Sequence, residues 1–228
     1  VYKRQVHNGM ICDTRYSKSC GGITEANDNV WDTSPKAYLR SVYDGDTSKT
    51  DHVSSDHRFG HWLKNETASY CSPKFVSEQN LDNFLGSVDK QGTYYRWEVS
   101  YDNNKLSDII FAKTGQRFKI IKSITPIKRG DSGRVLTLEI NGTVDNDTNF
   151  SLVIDSEYEI RNILSQSFLF SSAFEVTKQN KNFLLEGKGW GHGVGLCQIG
   201  ALGMALSKHK TDQILSHYYP RSVLKSIY

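Results

Sequence analysis

The chain has 228 residues, enough for one large or two small domains. Hydrophobic residues make up 37% and charged residues 23%, an ordinary balance for a folded domain, and no run approaches the ~18 uninterrupted apolar residues of a membrane span. The net charge of +3, with seven histidines neutral, is too weak to argue for nucleic acid, which needs a clustered basic stripe, yet it does not oppose an anionic glycan. No signal peptide is legible, and a start at Val1 rather than Met reads as a processed or trimmed chain.

Residues 1–18 alternate polar and apolar around Asn8-Gly9, a two-residue hairpin signal, with strands expected over 1–6 and 10–16. Gly21-Gly22 ends the second strand. Residues 26–43 are turn-rich, with a short helix at most, and 44–58 are polar and loop-like. Phe59, Trp62 and Leu63 then anchor the chain again. Leu81, Phe84, Leu85 and Val88 fall at helical spacing and predict a helix within 77–90. Residues 96–101 alternate as a strand. A short helix is expected over 103–111, entered through Asp102 or Asn103. Strands follow over 118–126, 135–140 and 150–154, with Asn141-Gly142 as a hairpin turn. Residues 158–164 read as a helix capped by Asp155 or Ser156. Strands over 171–178 and 182–187 lead into a glycine run, and helices over 198–207 and 211–218 close the chain.

This order mixes strands and helices with no βαβ rhythm. The expected class is α+β: a β-rich mixed domain with several short helices and a glycine-rich loop before a C-terminal helix pair. One domain over 1–228 is expected, with a subdivision near 90–95. No internal repeat or low-complexity segment is present.

Residues 187–201, GKGWGHGVGLCQIGA, pack six glycines, one Trp, one His and one Gln into fifteen positions. Glycine at this density costs backbone entropy, and serves where φ is positive or where a chain or ligand must come close. Trp190 offers a flat apolar face, His192 a titratable donor and acceptor, and Gln198 a fork of both. A sugar polymer, with apolar ring faces and rings of hydroxyls, suits these groups. Exposed backbone N–H groups around His192 could grip hydroxyls or a lactyl carboxylate, and a helix starting near Cys197-Gln198 favours an anion at its N-terminus. The plain alternative is a tight buried turn with His192 hydrogen-bonded to backbone. Trp31, Trp62, Trp97, Tyr94, Tyr95, Tyr218 and Tyr219 read as mostly core, leaving Trp190 to face a ligand.

The cysteines are Cys12, Cys20, Cys71 and Cys197, with no CxxC pair, so neither a redox nor a zinc-ribbon reading is favoured. Four in this length do not make a disulfide scaffold. In an exported protein one bridge fits, Cys20 with Cys71, both in loop-like contexts; the alternative is that all four are free. Cys12 and Cys197 lie in apolar runs and read as buried thiols. The densest set of ligand-type residues is His52, His57 and His61 with Asp51, Asp56 and Cys71. His57 and His61 would share one helix face, as a zinc site requires. Arg58, however, stands where an HExxH motif has its Glu. A solvated polar segment is preferred, and no metal or cofactor is expected.

The stretch GKGWGHGVGLCQIGALGMA, residues 187–205, resembles the motif GxGxGHGVGxSQxGAxxMA of the SpoIID/LytB family (stage II sporulation protein D). Tyr16-Ser17-Lys18-Ser19-Cys20-Gly21-Gly22-Ile23-Thr24-Glu25, with Trp31 and Tyr38-Leu39, is similar to the family's SxSGGxTE…W…YL block. Gly130-Asp131-Ser132-Gly133-Arg134-Val135, then Glu159-Ile160-Arg161 and Leu164, is similar to its SGRV…R…L block. The wording CDTRYSKSCGG is close to Bacteroidetes-type envelope proteins. The resemblance covers most of residues 6–228.

It implies an exported cell-wall protein of the periplasm or envelope, with peptidoglycan glycan strands and a cell-wall amidase as partners. Characterised relatives are lytic transglycosylases, and others are amidase enhancers. The transglycosylases' catalytic Glu lies in an N-terminal helical segment, and a Cys/His zinc motif of some relatives lies there too. The chain opens at Val1-Tyr2-Lys3 without such a segment, so the expectation is the family domain without its catalytic front end, and the catalytic residue is unknown. Substrate binding is assigned to Tyr16, Ser17, Ser19, Trp190, His192 and Gln198. Ser17, Ser19 and Thr24 lack a GxSxG elbow, so hydroxyl contacts to sugar are favoured over covalent chemistry, alongside hydroxyls that merely satisfy local backbone. For Arg134 and Arg161 a structural salt bridge is preferred to glycan contact. Of the carboxylates near the motifs, Glu25 and Glu186, Glu25 reads as a capping residue.

Overall fold

The computed structural model describes residues 3–31, 34–46, 53–65, 68–86 and 93–226. Among these the chain forms eleven strands in four small sheets and six α-helices, an α+β architecture rich in β structure. No helix among them is long and apolar enough to cross a membrane.

Asn8 and Gly9 adopt φ of 49° and 82°, the left-handed pair that a two-residue hairpin turn demands. They join β1 (Lys3–His7) to β2 (Met10–Ile11). The second strand of the hairpin is shorter than expected. The chain leaves it to make β3 (Tyr16–Ser17), which pairs elsewhere. A 3-10 turn at Asn27–Asn29 interrupts the turn-rich segment.

The polar stretch expected as loop through residue 58 turns helical earlier. Ser55 accepts a hydrogen bond from the Arg58 N–H and starts α1 (Asp56–Lys64). Phe59 and Trp62 face inward, and His57 and His61 stay exposed. Asp51 and His52 of the expected ligand cluster lie outside the described residues. Helix α2 (Leu81–Leu85) stops at Gly86, φ 72°, and the rest of the expected helix lies outside the described residues.

Strand β4 (Arg96–Asp102) runs into α3 (Asn103–Thr114), where the Asp102 carboxylate accepts from the Lys105 N–H at 2.8 Å. Strands β5 (Ile120–Arg129), β6 (Val135–Thr143) and β7 (Asn149–Ile154) form one antiparallel sheet. Asn141-Gly142 is not a turn. It lies inside β6, where a Cβ on Gly142 would stand 2.3 Å from the Ile120 carbonyl. Glycine is needed there for close approach, not for a bend. Ser156 caps α4 (Glu157–Ile163), and β8 (Phe174–Gln179) and β9 (Asn182–Lys188) join β4 in the order β4-β9-β8. Strand β10 (Leu196–Cys197), helices α5 (Gln198–Leu206) and α6 (Thr211–Tyr218) and strand β11 (Val223–Ser226) complete the chain, with β11 beside β1.

Two cores result. Leu106, Ile110, Ile121, Leu138, Ile160, Phe174 and Leu185 bury the larger sheets against α3 and α4. The second core gathers both ends of the chain: Cys20, Leu39, Tyr70, Tyr94, Cys197, Ile199, Met204 and Tyr218. Each fully buried Leu, Ile or Phe contributes roughly 1.5–3 kcal/mol of transfer free energy. The glycine run passes along this second core.

Candidate functional site at the junction of the glycine blocks

Ser19 and Trp190 exchange both backbone hydrogen bonds, at 3.1 and 2.8 Å. Beside them β3 and β10 run parallel, with Tyr16 opposite Leu196 and Ser17 opposite Cys197. The Glu25 N–H donates to the Gly193 carbonyl at 2.9 Å, and the Ile199 N–H to that of Lys18 at 3.1 Å. Thus the segments carrying Tyr16, Ser17 and Ser19 and those carrying Trp190, His192 and Gln198 form one junction. Gly189, Gly191, Gly193 and Gly195 all take positive φ, between 73° and 97°. Every second residue of the run is left-handed, a path that side-chain-bearing residues resist.

The six residues expected to bind substrate have different surroundings. Tyr16 is 66% exposed. Ser17 is buried, and its Oγ has no hydrogen-bond partner among the described residues. Ser19 is fully enclosed, its Oγ accepting from the Gly21 N–H. Trp190 is half-buried, stacked on Phe170 at 4.4 Å between centroids, with Tyr94 4.9 Å away. Gln198 is half-buried at the start of α5. His192 accepts from the Val194 N–H through Nδ1 at 3.0 Å and has a second backbone hydrogen bond at Tyr16. Burial, with the charges of Arg134 and Arg161 adding to it, lowers its pKa to about 3. The imidazole is therefore neutral, with Nδ1 unprotonated, and holds the loop rather than offering a proton.

Trp31 was expected in the core and is instead 48% exposed, because the turn at Asn27–Asn29 carries it out over the glycine loop. Its ring meets the His192 ring edge-on at 4.4 Å, with the Arg15 guanidinium 5.1 Å from its centroid. A cavity of about 230 Å³ opens beside it, lined in part by Asp28, Asn29, Thr137, Asp155 and Ser156. Two larger cavities, of about 390 and 490 Å³, adjoin Asp102 and contain none of the motif residues.

Beneath the loop lies a buried polar frame. Glu25 is fully buried and accepts from the N–H groups of Ala26, Asp131 and Ser132, the Asn29 side chain and the Ser132 hydroxyl. Its role is capping, as expected, though across the chain rather than within one turn. Arg134, also fully buried, donates to the carbonyls of Cys20 and Gly191 and to Ser132 Oγ. Arg161 pairs with Glu157 at 3.5 Å and donates to the Leu169 and Phe170 carbonyls. Glu186 is exposed on β9 between Glu98 and Glu175 in register, and with them lines a separate cavity of about 310 Å³.

The cysteines are all free and all buried. Cys20 and Cys71 are neighbours, with sulfurs 3.7 Å apart, but are not bridged. Cys197 and the fully buried Asp44 join them. Burial pushes the Cys71 thiol up to about 12 and raises that of Cys20, and raises the carboxyl of Asp44. Lys188 is enclosed too, its Nζ 3.2 Å from the Trp62 ring centroid and donating to the Trp62 carbonyl. Burial and Arg96 drive Lys188 towards the neutral amine, while Cys71 and Cys20 pull the other way. Sequence reasoning missed Trp31, Asp44 and Lys188. Trp31 belongs to a block that was recognised, but its exposure depends on a turn without periodicity.

The chain is similar along 96% of its length to a protein named amidase enhancer from Bacillus subtilis (strain 168), at 25% identity, and spans 30% of that protein. It is 43% identical over 61 residues to an uncharacterized protein of Brachyspira hyodysenteriae (strain ATCC 49526 / WA1), covering 27% of this chain and 17% of the relative. A family model matches residues 25–195, a span running from the capping Glu25 to the last left-handed glycine of the loop, and the chain belongs to that family, described as Domain of unknown function (DUF8618).

Proposed function

We propose that this chain is a SpoIID/LytB-like module that binds peptidoglycan glycan strands in the cell envelope. The observation that carries the reading is the junction of the two blocks, which sets exposed Tyr16 and Trp31 and half-buried Gln198 around one glycine loop beside a polar cavity. Aromatic faces suit the apolar C–H faces of sugar rings, and an amide fork suits an N-acetyl group. In this reading Ser19, Trp190 and His192 build the loop, and Tyr16, Trp31 and Gln198 meet the sugar.

Cleavage is not assigned to the chain. A glycan-cutting enzyme needs a carboxyl group free to protonate the glycosidic oxygen. Glu25 has both oxygens committed to internal donors, Asp28 and Asp155 beside the loop are bonded to Arg40 and Thr137, and Glu186 lines a different cavity.

The test is cosedimentation of the chain with purified glycan strands stripped of stem peptides. Wild type pellets with the strands, and Trp31→Ala weakens binding at least tenfold, about 1.4 kcal/mol, at an unchanged melting temperature. A wild-type chain that stays in the supernatant, or a Trp31→Ala chain that binds fully, overturns the reading.

The match to an amidase enhancer along 96% of the chain favours a second reading, in which the module raises the activity of a cell-wall amidase. Amidase turnover on peptidoglycan, measured with and without the chain, separates the two. Stimulation without glycan binding supports the second alone.

A further inference from the structure

Four potential ligands from four separate segments converge at one buried point. Cys20 lies in the first block, Asp44 24 residues on, Cys71 another 27, and Cys197 sits in the glycine run 177 residues from Cys20. One ligand atom from each lies within 4.8 Å of all the others, and all four residues are buried. We propose that Cys20, Asp44, Cys71 and Cys197 form a closed tetrahedral site for a thiophilic divalent metal ion, with zinc as the fitting ion.

The distances have the right size. With metal–sulfur bonds of about 2.3 Å, two sulfurs of a tetrahedron stand about 3.8 Å apart; a sulfur and a carboxylate oxygen bound at about 2.0 Å stand about 3.5 Å apart. Here Cys20 Sγ is 3.7 Å from Cys71 Sγ and 3.4 Å from Asp44 Oδ2. Three sulfurs and one oxygen in a tetrahedral set select zinc over magnesium or calcium, which take oxygen ligands in larger numbers.

Backbone N–H groups already point at two of the sulfurs, the arrangement that metal-bound thiolates need. The N–H groups of Cys20 and Gly200 donate to Cys197 Sγ at 3.2 and 3.3 Å, and that of Gly22 to Cys20 Sγ at 3.3 Å. Asp44 is oriented by the Cys71 N–H at 3.0 Å and by the Tyr218 hydroxyl. Such outer hydrogen bonds aim ligands and stabilise their charge. His217 Nε2 has no hydrogen-bond partner among the described residues and stands 4.0 Å from Asp44 Oδ1. Three thiolates and a carboxylate around a divalent ion leave a net negative centre, and the N–H groups and hydroxyl that point at it offset that charge.

A disulfide explains less. Joining Cys20 to Cys71 would leave Cys197 and the buried Asp44 carboxylate without a cation. A metal uses all four and staples the first block to the glycine run, since Cys20 and Cys197 belong to one each. The site does not depend on the glycan reading.

The full chain, purified without chelator and then dialysed against excess zinc, is assayed for bound metal. About one zinc per chain is expected, and cobalt in its place should show the intense visible bands of tetrahedral thiolate coordination. Cys71→Ser and Cys197→Ser lower zinc affinity on the order of 100-fold or more, while Cys12→Ser, outside the cluster, retains full binding. If the serine variants fail to fold, the wild type still decides. Alkylation in denaturant with chelator and without reductant should label all four cysteines. Two labelled cysteines mean a disulfide and overturn the proposal. So do four free thiols in a folded chain that takes up neither zinc nor cobalt.

Discussion

Gly193 passes directly beneath the guanidinium of Arg134: a Cβ there would stand 2.3 Å from Cζ and 2.5 Å from one terminal nitrogen. Arg134 has no room to retreat, because it is fully buried and bonded to Cys20, Gly191 and Ser132. The glycine run is therefore shaped by the frame below it as much as by any ligand above it.

Gly193→Ala and Gly191→Ala should differ. Both hold positive φ, which costs a side-chain-bearing residue about 1–2 kcal/mol. Gly191 adds only a tight contact with Ser17 Cβ at 3.1 Å, whereas Gly193 adds a collision with a fixed Arg. Urea unfolding should place Gly191→Ala about 1–2 kcal/mol below wild type and Gly193→Ala at least about 3 kcal/mol below, near the upper range for single substitutions. Equal losses would mean that Arg134 can move.

Glu25→Gln should destabilise the chain by about 2–4 kcal/mol. The substitution puts an amide NH₂ against donors that already point at the carboxylate, so a buried donor loses its acceptor. Chemical denaturation is the measurement, and a change under about 0.5 kcal/mol would show the network to be dispensable.

His192 should make the fold acid-sensitive. Its folded pKa of about 3 lies below the ordinary 6.5, so the unfolded chain binds the extra proton first. Its contribution is complete above pH 6.5 and falls as pH drops towards 3, by at most about 1.4 kcal/mol per unit. Burial also lowers the pKa of His217, so the slope must be isolated by comparison. Between pH 6 and pH 4, stability should fall more steeply for wild type than for His192→Gln. Parallel slopes would show that the imidazole charges freely in the folded state.

Ser17→Ala should be neutral or stabilising by up to about 1 kcal/mol, because it removes a buried hydroxyl without a partner among the described residues. The same variant should keep its glycan binding, because the hydroxyl is enclosed. A clear loss of stability would reveal a partner, such as a bound water, for the oxygen.

Local chemistry determined much of this protein before any fold was known. Asn8-Gly9 carries its own turn geometry, Asp102 and Ser156 cap helices with side chains a few residues from the N–H groups they satisfy, and the left-handed glycines of the run are legible one by one. These features depend on neighbours in sequence, so the sequence displays them. The parallel pairing of β3 with β10 involves two residues on each side, too short for any periodicity to announce it. Gly142 reads as a turn residue until the Ile120 carbonyl is found against it. The exposure of Trp31, the burial of Lys188 and the convergence of Cys20, Asp44, Cys71 and Cys197 likewise arise from segments far apart along the chain. Only the packing of distant segments against one another sets those distances, and packing leaves no local mark on the residues it brings together.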